Sequence, residues 1–195
     1  MSAARAYLDH NATAPIRPGV AAAMAEALAC PGNPSSVHTE GRAARALVET
    51  ARDHVAALVG AKPRDVTFTS GGSEAAATVL TPGLAKGGSC PTLLVVSATE
   101  HVCVRDGHRF AADQAETIPV SASGLVDLDW LEARLAAHDG MAMVSVHAAN
   151  NETGVIQPIA EISVITNRYH VILHVDAVQA AGRVPLDMAA LGVDV

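Results

Sequence analysis

Aromatic side chains are nearly absent: the 195 residues hold one Trp, two Tyr and two Phe. A core built on large rings is excluded, and the apolar half of the chain must pack through small aliphatic side chains, chiefly Ala and Val. Cysteine is scarce too. Cys30, Cys90 and Cys103 are widely spaced, with no CxxC pair and no even framework, which excludes a disulfide scaffold and points to a reducing compartment. Basic residues are outnumbered, 13 against 20 acidic ones, for a net charge of −7, which argues against a general nucleic-acid binder. No apolar run approaches the ~20 residues that span a bilayer. The N-terminal stretch "MSAARAYLDHNATAP" lacks the apolar segment of a secretory signal. A soluble, cytoplasmic protein with no membrane contact is the expectation.

What is present is alternation. Residues 19–29 read as a helix and 30–38, "CPGNPSSVH", as a loop. Residues 40–59 form the clearest amphipathic helix, with Ala44, Leu47, Val48, Ala51, Val55 and Leu58 at spacings of three and four. Short β-branched runs at 66–69, 92–97, 115–120, 141–147 and 171–176 then alternate with helical patterns at 73–81, 101–112, 128–138 and 158–168. Asp127 is placed to cap one of these helices and Pro158 suits the first turn of another. Buried strands alternating with helices predict an α/β fold, a mostly parallel sheet flanked by helices. Such sheets bind ligands at the carboxyl ends of their strands.

Four polar segments stand at those ends: "TSGGSE" from Thr69, "ATEH" from Ala98, "AANNETG" from Ala148 and "DAVQ" from Asp176. Gly71 and Gly72 open a helix, with hydroxyls from Ser70 and Ser73 beside them. Backbone N–H groups at a helix start suit a phosphate; the same stretch also reads as a tight turn with an N-cap serine. Asp176, at the end of an apolar strand, needs a partner, either a protonated ring nitrogen or the first amides of the next segment. His101 can stack on an aromatic cofactor and move protons, or face solvent in a first turn. Asn151 can donate to an oxyanion, or make an Asx turn.

In this order and spacing, "YLDHNATAP", "GNPSSVH", "TSGGSE", "TEH", "NNETGVIQPI" and "HVDAVQAAGRVPLD" resemble the pyridoxal 5'-phosphate (PLP)-dependent cysteine desulfurases, members of the class V aminotransferases of fold type I. The resemblance runs from Tyr7 to Val195. It implies residues 1–15 as an N-terminal arm and residues 16–195 as an incomplete PLP-binding large domain, truncated, with no small C-terminal domain. It implies Gly72 and Ser73 at the cofactor phosphate, and His101 stacked on the ring and acting in acid–base steps. Asn151 and Gln179 would face the ring's phenolate oxygen, and Asp176 its nitrogen. The implied reaction moves sulfur from L-cysteine to an enzyme persulfide, releases alanine, and feeds a sulfur-acceptor protein for iron–sulfur clusters or tRNA. A homodimer is implied, with the "GNPSSVH" loop near the neighbour's site.

The family's Schiff-base lysine, catalytic cysteine and substrate arginine lie beyond Val195, so the 195-residue chain by itself is expected to be inactive. It is also expected to leave a strand edge and apolar helix faces uncovered. Other readings are a related class V lyase, such as a selenocysteine lyase, and a non-catalytic partner-binding protein. Lys62 and Lys86 read as solvated loop residues, and Arg42, Arg45, Glu49 and Arg52 as a solvated helix face. Cys103 reads as a core residue near His101. Ala76 and Ala77 stand where the family usually carries an amide. His170 and His174 lack the neighbours a metal would need, so no metal is expected.

Overall fold

The computed structural model describes residues 5–195; the first four residues of the expected N-terminal arm lie outside the described residues. Two units divide the chain. One runs to Ala57 and includes Lys62–Val66, and the other comprises Leu58–Ala61 and Thr67–Val195.

The first unit holds α1 (Pro18–Ala29) and most of α2 (Thr39–Val59). Proline at the first turn of α1 suits a helix start, where its missing N–H is not needed. No residue of α1 is buried, and Val20, Met24 and Leu28 are exposed. The apolar stripe read from the spacing of α2 is also largely in water, with Leu47 and Val55 exposed and only Gly41 and Ala56 of the helix buried. On the charged face of α2, Arg42, Arg45 and Glu49 are exposed as expected, and Arg52 is the exception. Arg52 is only 22% exposed, bonded to Glu49 at 3.2 Å and to the Val66 carbonyl.

The second unit is built on a four-stranded sheet in the order β2-β1-β3-β4, with strands β1 (Leu93–Ser97), β2 (Ala115–Ile118), β3 (Ala142–His147) and β4 (Ile172–Asp176). All three ladders are parallel, as predicted. Alternation along each strand divides the core between two faces. Leu93, Val95, Val144, Val146 and Leu173 pack with Leu131 and Leu135 of α5 (Leu128–Ala136) and with Ile162 and Ile165 of α6 (Ile159–Arg168). Leu94, Val96, Met143 and Ile172 pack on the other face with Ala76 of α3 (Gly72–Val79), Val104 of α4 (Val102–Arg105) and Phe110. The Asp127 side chain caps α5, accepting from the Trp130 amide at 2.9 Å, and Pro158 stands at the start of α6.

Three expectations are corrected. Residues 66–69 join no ladder, and Phe68 is 48% exposed; a β-branched run becomes a strand only where a neighbour takes its hydrogen bonds. The helix expected over 101–112 stops after α4. Gly107 approaches so closely that a Cβ would stand 2.2 Å from the Cys103 carbonyl oxygen. The Arg109 amide bonds to the Leu80 carbonyl at 2.8 Å and Phe110 is buried, so tertiary contacts override helical pattern. Lys86 is not simply solvated: its ammonium lies 2.7 Å from Asp194 and donates to the Val171 carbonyl.

Asp194 also accepts from the Leu173 amide at 2.9 Å. Val195 accepts from Val175 and donates to Leu173, a parallel-type bridge. The outer edge of β4 thus carries pairing beside residues 194–195. The last helix, α7 (Met188–Leu191), is capped by Asp187.

Candidate active site

The sheet face under α3 and α4 changes character along its length. Register sets Met143 near Ile172, then Ser145 opposite His174, then His147 opposite Asp176. The face is apolar at its start and polar at its carboxyl edge, which is the edge that the parallel topology opens to ligands.

Asp176 ends β4 partly buried, and its Oδ1 accepts from the Val178 amide at 2.9 Å. The residues that follow form turns rather than a helix. Gly72 and Asp176 line one pocket of about 150 Å³, together with Ala76, Val104, His174 and Val178. Gly72 is the first residue of α3, and no side chain caps that helix. A Cβ at Gly71 would meet nothing within 4 Å, and one at Gly72 only Val178 at 3.9 Å. Packing within the chain does not call for these glycines; they leave open space at the helix start. Glu74 reaches back from the first turn to the Ser70 amide at 2.6 Å. Its hydrogen bonds with Ser70 hold the Glu74 carboxyl below the ordinary range.

His101 is exposed and stands just before α4. Its Nδ1 accepts from the Cys103 amide at 3.2 Å and lies 3.0 Å from the Cys103 thiol. Cys103 is half-buried against the apolar core on this face and beside His101, as the sequence suggested. Burial first, and then the charge of Asp176, push its thiol pKa up, and a hydrogen bond with Ser73 opposes them. The thiol and the imidazole thus meet at the start of α4.

Two predicted residues are placed less centrally. Asn151 is half-buried and donates to Glu152 at 2.9 Å. Gln179, also half-buried, accepts from Arg183. The Asx turn weighed for Asn151 belongs to Asn150, which is 8% exposed. Its Oδ1 accepts from the Glu152 and Thr153 amides and its Nδ2 donates to the Thr99 carbonyl.

The sequence reading did not single out Glu100 or His147, and considered His174 only as a metal ligand. His174 is buried, and its Nδ1 lies 2.8 Å from the Ser145 hydroxyl. Burial lowers its pKa to about 4, against the opposing pull of Asp176. Glu100 and His147 are buried side by side. For His174 the signal was positional: it lies two residues before Asp176 on the same strand and so on the same face, whereas His147 is itself the end of β3.

Comparison with known proteins adds four findings. The chain matches the family described as aminotransferase class-V over residues 6–195. It is 40% identical to the IscS-like cysteine desulfurase of Mycobacterium tuberculosis, over 96% of this chain and 49% of that protein. Among solved structures, a NifS-like protein from Rickettsia africae ESF-5 superposes with a TM-score of 0.87 at 38% identity, covering 96% of this chain and 52% of the other. A structure described as SspA in complex with cysteine gives 0.79 at 26% identity, over 96% and 55%. The chain thus spans about half the length of the relatives it matches.

Proposed function

We propose, from the premise that the chain belongs to the class V aminotransferase family, that the protein is a cysteine desulfurase. It takes sulfur from L-cysteine, passes it through an enzyme persulfide to a sulfur-acceptor protein, releases alanine, and works as a homodimer on PLP. The observation that carries this reading is the joint lining of one pocket by Gly72 and Asp176. Relatives named as cysteine desulfurases support the substrate class.

The residues fit a phosphate-bearing aromatic cofactor. The open space at Gly71 and Gly72 gives close access to amides at the start of α3, where backbone N–H groups and the helix dipole favour an anion. Gly72 and Ser73 would hold the phosphate. The Asp176 carboxylate would keep a proton on the ring nitrogen. Bound PLP supplies an electron sink for bonds to the substrate α-carbon. His101 would lie against the ring; with Nδ1 engaged by the Cys103 amide, Nε2 is the nitrogen that exchanges a proton. Asn151 and Gln179 would donate to the phenolate oxygen.

The test is PLP titration and sulfide release with the protein made from its whole gene. Wild type is expected to bind PLP and release sulfide from L-cysteine. Asp176→Ala is expected to weaken PLP binding at least about tenfold, the loss of one charge-assisted contact. A wild-type protein with no PLP affinity would overturn the reading.

A further inference from the structure

Two ionisable side chains lie inside the protein beside the site, and the proposed chemistry uses neither. Glu100 immediately precedes His101, and its side chain is 0% exposed; His147 ends β3, and its side chain is 5% exposed. His147 Nδ1 lies 3.3 Å from Glu100 Oε1. Neither carboxylate oxygen and neither ring nitrogen has a hydrogen-bond partner among the described residues. A carboxylate taken wholly out of water is costly unless an opposite charge offsets it, and His147 is within reach to do so.

The pair joins two pieces of the site. His147 stands in register with Asp176. Glu100 belongs to the turn between β1 and α4 that delivers His101 and Cys103. The same turn is tied to the chain beyond β3 by the bond from Asn150 to the Thr99 carbonyl at 3.0 Å. On its other side, the Ala98 amide bonds to the Ile118 carbonyl of β2. Backbone bonds fix where the turn begins, whereas Glu100 acts at the residue next to His101.

A well-packed apolar pair would stabilise such a site as well as an ion pair does. What charge adds is geometry, because few arrangements of the turn bring carboxylate and imidazole together. We propose that Glu100 and His147 form a buried ion pair that positions His101, seating its turn on the carboxyl end of β3 beside Ser73 and Asp176. The proposal rests on the cofactor reading above.

A double-mutant cycle in the full-length protein tests it, with Glu100→Met, His147→Met and both together. Three quantities are read: unfolding of the cofactor-free protein, PLP affinity, and the visible circular dichroism of bound PLP. Each single change strands one buried polar partner and is expected to weaken PLP binding about tenfold and to alter the dichroism. The double variant is expected to bind no more weakly than the worse single one. Additive losses would overturn the pair. Coupling in unfolding with unchanged affinity and dichroism would overturn the positioning role. Where a single variant fails to fold, a double variant that folds supports the pair and one that does not overturns it. A wild type that binds no PLP overturns the cofactor reading and the positioning role together, while the unfolding cycle still decides whether the pair exists.

Discussion

At the scale of single residues, burial sets the chemistry of this site more than residue type does. His174 has a pKa lowered to about 4 because it is buried, and its hydrogen bond to Ser145 keeps a neutral ring satisfied. The sign of the linkage follows. As pH falls below the ordinary histidine value of 6.5, the unfolded chain takes up a proton that the folded chain refuses. The stability contribution is full above about pH 6.5 and is lost progressively down to about pH 4, roughly 3 kcal/mol in all. Urea midpoints measured across that window should fall with pH in wild type and fall less in His174→Asn. Equal slopes would show that His174 does not carry the effect. None of this was legible from "VILHVD", where His174 reads as one more strand residue; its burial depends on α3 and α4 covering that face.

Elements show where local signals suffice. Asp127 precedes a helical pattern and its carboxylate caps α5, because the four unpaired amides of a helix start need acceptors wherever the helix sits. Asp127→Ala should cost about 1 kcal/mol of stability, read as a lower urea midpoint of the protein; no change would mean that the start of α5 is satisfied by other groups. The strands β1, β3 and β4 were equally legible as short, mainly apolar runs, LLVVS, AMVSVH and ILHVD, as expected of strands covered on both faces. Val66–Thr69 carries the same local signal and forms no strand among the described residues. The difference lies in what pairs beside it, which no window of sequence contains. The helix at α4 fails for a related reason: the Leu80 carbonyl captures the Arg109 amide and the core takes Phe110.

For the whole molecule, the two units differ in how much they bury. The sheet unit holds the fully buried β1 and β3, whereas α1 has no buried residue. Amide hydrogen exchange should therefore be slowest at 93–97 and 142–147 and fast through 18–29, because local opening is cheapest where few apolar contacts break. Protection of α1 equal to that of β3 would contradict this. Parallel α/β organisation and the meeting of "ATEH" and "DAVQ" at one edge were determined by the sequence itself. Hydrophobic period names the elements, and parallel strands bring their carboxyl ends together. Tertiary structure alone decided that Asn150 rather than Asn151 makes the turn, that Lys86 meets Asp194, and that Glu100 lies against His147. Those contacts join residues far apart in the chain or depend on which face a residue takes, so register and burial set them, and both are properties of the assembled sheet.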